Sequence, residues 1–145
     1  MHKRNNIEQK LLLKTTNQLE KEKQVKFSGF GGSSDNGLTM LSLSFETDKD
    51  YDIQTGRELI VYCAEEFLKN INSDEKIRPY LKNYPFVSKN IEVSVYPQNK
   101  NNLTDKLEII SFSHGNIRYY IRDENKKLII IHAETYEEAL KKSSK

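Results

Sequence analysis

The apolar positions of this chain follow two periods, and each marks a different kind of element. Across Thr55–Ile71, TGRELIVYCAEEFLKNI, the residues Leu59, Ile60, Cys63, Ala64, Phe67, Leu68 and Ile71 recur at three- and four-residue steps, which places them on one stripe of a helix. Arg57, Glu58, Glu65, Glu66 and Lys69 fall mostly on the other side. Thr55-x-x-Glu58 has the form of a capping box, so the predicted helix starts at Thr55. A helix with one apolar stripe needs an apolar sheet face to cover, and strand-like runs stand on both sides of it.

Those runs alternate with a period of two. Leu41, Leu43 and Phe45 alternate with Ser42 and Ser44, and Ile91, Val93 and Val95 alternate with Glu92, Ser94 and Tyr96, each with one buried and one wet face. Val25-Lys26-Phe27 begins a strand, and the glycine-rich stretch Gly29–Gly37 reads as a loop at the tip of a long hairpin closed by Leu38–Phe45. Lys106–His114 and Ile117–Arg122 form the clearest hairpin. With Gly115-Asn116 as a type II′ turn, His114 faces Ile117, Phe112 faces Tyr119 and Ile110 faces Ile121. The opposite face then carries Ser113 with Arg118, Ser111 with Tyr120 and Ile109 with Arg122. Leu128–Ile131 is apolar without alternation, the pattern of a strand that is central or covered on both sides.

The ends are helical. Asn5–Gln24 is lysine-rich with Ile7, Leu11, Leu12 and Leu19 as apolar contacts, too few to hold an isolated helix in water, so residues 1–24 are expected to dock, loosely, on the body or on a partner. Thr135-x-x-Glu138 caps a last helix over Tyr136–Lys142, with Ala139 and Leu140 inward and Lys141 and Lys142 at its negative end. Between the central helix and Asn90, Ile77, Tyr80, Leu81 and Tyr84 suggest a short helical piece interrupted by Pro79. The polar run QNKNNLTD, residues 98–105, reads as a loop. The expected fold is α+β: an antiparallel meander with the helix at about 55–71 on one face, plus N- and C-terminal helices, in a single domain over 1–145. The element order is similar to that of roadblock-like and profilin-like modules and of small secretion chaperones, a likeness of order that implies this layered fold and transfers no residue.

Composition narrows the chemistry. With 145 residues and 17.0 kDa, the chain is long enough to bury a core without staples. The single cysteine, Cys63, excludes an intrachain disulfide and sits on the apolar stripe, which fits a buried thiol in a reducing, cytoplasmic setting; secretion of a trimmed chain stays open. Net charge is +2, too small to imply a polyanionic partner. The segment 46–75 holds nine acidic residues against Lys49, Arg57 and Lys69, whereas the stretch through Lys26 is basic, a separation that points to a protein partner or self-association rather than nucleic acid.

No motif calls for a cofactor, metal or catalytic residue. His2, His114 and His132 lack companions at a metal-binding spacing, and the glycine run lacks the Gly-Lys-Ser/Thr ending of a phosphate loop. The polar sheet face is therefore the candidate binding surface: Tyr96, Ser111, Ser113, Arg118, Tyr120 and Arg122, where Tyr and Arg are the residue types that anchor interfaces. The expected function is a non-catalytic protein-binding or self-associating module acting through this face, an exposed strand edge or the N-terminal helix. Two alternatives remain from the sequence. The same Arg/Tyr face would suit an anion or nucleic acid, and the carboxylates between Glu46 and Asp52 would suit a small enzyme if they lined a deep pocket.

Overall fold

A computed structural model describes residues 2–98 and 105–143. The predicted loop at 98–105 lies almost wholly outside the described residues. The described elements run α1 (His2–Lys23), β1 (Lys26–Ser34), β2 (Leu38–Thr47), α2 (Ile53–Ser73), β3 (Ile91–Pro97), β4 (Ile109–Ser113), β5 (Asn116–Arg122), β6 (Leu128–Thr135) and α3 (Tyr136–Ser143), with short 3-10 turns at Arg78–Tyr80 and Ser88–Asn90. The fold is α+β: one mostly antiparallel six-stranded sheet with a central helix and helices toward both ends of the chain. The strands lie in chain order from β1 to β6. Among the described strands only the β2–β3 pair is parallel, because α2 carries the chain back across the sheet between them.

The core lies between one sheet face and the helices. Leu41, Leu43 and Phe45 of β2, Ile91, Val93 and Val95 of β3, Ile110 and Phe112 of β4, and Ile117 and Tyr119 of β5 are buried beneath it. From α2 come Leu59, Ile60, Cys63, Ala64, Phe67 and Ile71, the stripe read from the sequence except for Leu68, which is only partly buried. The helix begins earlier than Thr55. Asp52 is the N-cap: its carboxylate accepts the Thr55 N–H at 2.9 Å, and the Thr55 hydroxyl accepts the Asp52 N–H at 3.1 Å. This is a capping box one turn upstream of the Thr55-x-x-Glu58 reading, and Glu58 instead accepts from Gln54.

Helix α1 packs against α2. Leu11, Leu12 and Leu19 are buried against α2, and so are Thr15 and Thr16, which the apolar pattern did not mark. Asn70 of α2 donates to Thr15 Oγ1 and Gln18 Oε1, both at 3.0 Å, and Gln18 donates to Glu66 at 2.6 Å. Buried Asn70 thus has its donors satisfied across the helix pair, which avoids the cost of about 1–3 kcal/mol for a buried unpaired polar group.

Three expectations are corrected. The glycine stretch is not a loop: Gly29, Gly31 and Gly32 lie inside β1, and only residues 35–37 turn, with Asn36 and Gly37 at positive φ. A Cβ at Gly29 or Gly31 would come within 3.3 or 3.1 Å of the Ser44 or Ser42 hydroxyl, so these glycines let β1 lie close along β2. The β4–β5 turn is His114-Gly115, with φ of 53° and 80°, a type I′ geometry in place of Gly115-Asn116. The register therefore moves by two: Phe112 pairs with Ile117, Ile110 with Tyr119, Ser111 with Arg118 and Ile109 with Tyr120. A shift of two keeps every side chain on its predicted face. Finally, β6 is neither central nor covered. It forms the sheet edge, and Leu128, Ile129, Ile130 and Ile131 are all exposed, at 38–51 % of their surface.

Candidate functional site

The helices cover only one side of the sheet. On the other side the register aligns rows of side chains that run across the strands. One row is Gly29, Ser44, Ser94, Ser111, Arg118 and Ala133, so from β1 to β4 this row is a floor of small side chains, three of them serines. Beside it Ile109, Tyr120 and Ile130 are in register on β4, β5 and β6, with Tyr96 on β3 of the same face, and this row stands above the serine floor as a ridge.

All six candidate residues are on this outer face. Ser111 and Ser113 are half-buried on β4, Arg118 and Tyr120 half-buried on β5, and Tyr96 and Arg122 exposed. They do not form one cluster. The Arg118 side chain has no ion-pair or hydrogen-bond partner among the described residues, whereas that of Arg122 is already engaged: its Nε lies 3.6 Å from Glu108, and its guanidinium donates to the Lys126 carbonyl at 2.9 Å. Arg118 and Tyr120 are therefore the available anchors, and Arg122 braces the β5–β6 turn.

The ridge ends at the β6 edge, where backbone N–H and C=O groups on the outer side of the strand have no strand partner among the described residues. Sequence reasoning placed the aliphatic run inside the sheet, so it missed this part of the surface. Ile130 and Leu128 pair with Tyr120 and Arg122 on the outer face, while Ile129 pairs with Ile121 on the helix side. There Ile121 is only partly buried and Ile129 stays exposed, because the helix layer does not reach this part of the hairpin. The strand is apolar on both faces and open along its edge. Natural edges are usually blunted by charge, proline or a bulge. Here the one such device is a bulge at Ile131, where the ladder steps from Tyr119–His132 to Tyr120–Ile130.

A second polar cluster is internal. Glu134 of β6 and Arg57 of α2 are 5 % and 7 % exposed and joined at 2.8 Å, although the sequence had put Arg57 on the wet side of α2 and passed over Glu134. Tyr119 donates to the same carboxylate oxygen at 2.5 Å, and Lys142 donates to the other at 3.3 Å. Burial by itself would raise the Glu134 carboxyl, but the bonds from Arg57, Tyr119 and Lys142 outweigh it and hold the group down at about 2. His132 Nε2 lies 3.5 Å from Glu134, buried and without a hydrogen bond. Arg57, Tyr119 and Lys142 thus converge on one buried carboxylate, which makes the cluster a clamp between helices and sheet.

The remaining sequence candidates separate. Glu46, Asp48, Lys26 and Lys49 line an open hollow of about 590 Å³ in which acid and base are interleaved. Asp52 belongs to the α2 cap, and the Thr55 N–H holds its carboxyl below the usual range. Cys63 is fully buried, and burial pushes its thiol up to about 12. It is expected to be silent toward an uncharged thiol reagent in the native protein and to react fully once unfolded; labelling of the native protein at the rate of a free thiol would contradict its packing. Among the described residues no group of three His, Cys, Asp or Glu side chains is placed to hold a metal ion, and no helix is long and apolar enough to cross a membrane. Compared with known proteins, the chain matches no family model, no curated protein and no solved structure.

Proposed function

We propose that this chain is a non-catalytic protein-binding module that receives another polypeptide along the β6 edge and the adjoining Tyr120–Arg118 part of the outer face. The observation that carries the reading is the unpaired edge strand with four consecutive exposed aliphatic residues. Full burial of such a side chain is worth roughly 1.5–3 kcal/mol, and each of the four is only 38–51 % exposed, so a docked strand would recover a part of that at each position it covers. Strand addition would also satisfy the outward backbone groups and let alternate side chains set specificity. Arg118 and Tyr120 beside the edge supply the residue types that dominate binding energy at protein contacts. The anion reading draws less support from this surface. One of its three residues, Arg122, is held by Glu108, and Glu92 lies on the same face.

The test is affinity capture from the native host by the wild type, by Ile130→Lys and by Arg118→Ala/Tyr120→Ala. All three sites are at least partly exposed, so melting temperatures should stay within a few degrees of one another. The wild type is expected to retain a partner that Ile130→Lys loses and the double variant holds more weakly. Identical retention by all three would remove the reading. Retention on an immobilised polyanion that falls steeply with salt would favour the anion alternative instead.

A further inference from the structure

We infer that helix α1 holds this protein against an anionic phospholipid bilayer through a row of lysines along its solvent face. At about 100° of turn per residue, Lys3, Lys10, Lys14 and Lys21 fall within an arc of about 40° on α1, and at about 1.5 Å of rise per residue the row is about 27 Å long. All four are exposed, and none of their side chains has an ion-pair or hydrogen-bond partner among the described residues. The acids of the helix are engaged elsewhere. Glu8 lies 3.9 Å from Arg4, Glu20 accepts the Phe27 N–H at 2.8 Å, and Glu22 accepts the Tyr62 hydroxyl at 2.6 Å. Lys76, also exposed, lines a hollow with Lys10 and Lys14, and the carboxylate there, Asp74, accepts the backbone N–H groups of Lys76 and Ile77.

The sign of the row calls for an anion, and its composition narrows the kind. It holds lysine and no arginine, since Arg4, the one arginine of α1, is turned to Glu8. A guanidinium forks onto a phosphate or a base edge, whereas an ammonium is a hydrated point charge suited to a diffuse charged surface. No aromatic residue occurs in α1 to stack on a base. Leu13 flanks the row and is 48 % exposed; an apolar side chain there gains from the headgroup boundary and gains nothing from a phosphate backbone. The row is also straight, so all of it meets a plane at once, while a duplex curves away. Leu11, Leu12 and Leu19 are buried in the protein, so α1 rests on the bilayer without inserting, and charge supplies the attachment. About 4–8 basic residues on one helix face make such a site, each strengthening partitioning roughly five-fold, so these four with Lys76 reach on the order of 10³-fold. Helix α1 packs against α2 and β1, at the opposite end of the strand order from β6, so the edge described above stays open while the lysines are held to lipid.

The experiment sediments the full chain with vesicles of phosphatidylcholine alone or mixed with phosphatidylserine, beside a titration with duplex DNA. Two variants are compared with the wild type: Lys10→Gln/Lys14→Gln in the row, and Lys126→Gln/Lys127→Gln in the β5–β6 turn, which lowers the net charge equally at two exposed positions away from it. Circular dichroism confirms that both are folded. The wild type is expected to sediment with the phosphatidylserine vesicles at low salt and not with phosphatidylcholine alone, and to come off as salt screens the charges. The row variant should bind about 25-fold more weakly, while the turn variant binds like the wild type. No sedimentation with phosphatidylserine vesicles at low salt overturns the inference. Equal loss in both variants overturns it too, because net charge and not the row would then be responsible. Tighter binding to duplex DNA than to vesicles at equal phosphate, lost in the row variant, gives the lysines to nucleic acid and excludes the bilayer.

Discussion

Replacing Glu134 with glutamine is expected to destabilise the protein by about 3–5 kcal/mol, because it breaks a buried ion pair on one side only. The reason is the partner left behind. Arg57 is buried, and its Nε is 2.8 Å from the carboxylate that neutralises it, so the variant encloses a guanidinium with no counter-charge. Tyr119 loses its charged acceptor at the same time, and Lys142 loses its anchor to β6. Urea unfolding should show the midpoint fall at an unchanged slope. Arg57→Met with Glu134→Leu should be milder than Glu134→Gln alone, since removing both charges leaves neither stranded; an additive double variant would mean that the pair is not coupled. The carboxyl is depressed from about 4.5 to about 2, so the unfolded chain takes up its proton first as pH falls. The clamp is then fully present above about pH 5 and lost progressively toward pH 2, with wild-type stability dropping by a few kcal/mol and Glu134→Gln nearly flat over that window.

Phe112→Ala should cost a similar amount, about 3–5 kcal/mol, by a different route. Phe112 is fully buried on β4, and its ring stacks on Tyr136 of α3 at 5.2 Å between centroids. Tyr136 in turn donates its hydroxyl to Glu65 of α2. Truncating Phe112 opens a cavity under α3 and removes the surface on which that helix rests. Amide exchange should accelerate more across residues 136–143 than in α1, which packs elsewhere on α2. Phe112→Leu, which refills most of the space, should recover much of the loss. Equal acceleration in α1 and α3 would mean that the cavity weakens the fold globally.

What the sequence carried and what it concealed divide along physical lines. Periodicity found the α2 stripe and the faces of β2 to β5 because burial on one side is a repeated signal. The α3 cap was readable for a similar reason: Thr135 and Glu138 exchange two hydrogen bonds with each other's backbone, 3.1 and 2.9 Å long, within four residues. The register of β4 and β5 was harder, since Gly115 serves either of two turns, and the choice moves pairs by two without moving any side chain between faces. Arg57 and Glu134 lie 77 positions apart, so no local pattern links a charged residue on one element to its partner on another. The aliphatic run in β6 was misplaced because composition reports that a strand is suited to burial on both faces, not which neighbour supplies it. Of the candidate surface, the shared face of Arg118 and Tyr120 was foreseeable, while the engagement of Arg122 with Glu108 and the open rim beside it were not.

Strand order that follows chain order has a bearing on how this protein is made. As the polypeptide leaves the ribosome, every emerging strand adds to a rim that already exists, and none must be threaded between two that have paired. Only the β2–β3 seam waits for a distant segment, since α2 must be complete before that parallel contact can close. Growth thus proceeds in one direction, from the β1 rim toward β6.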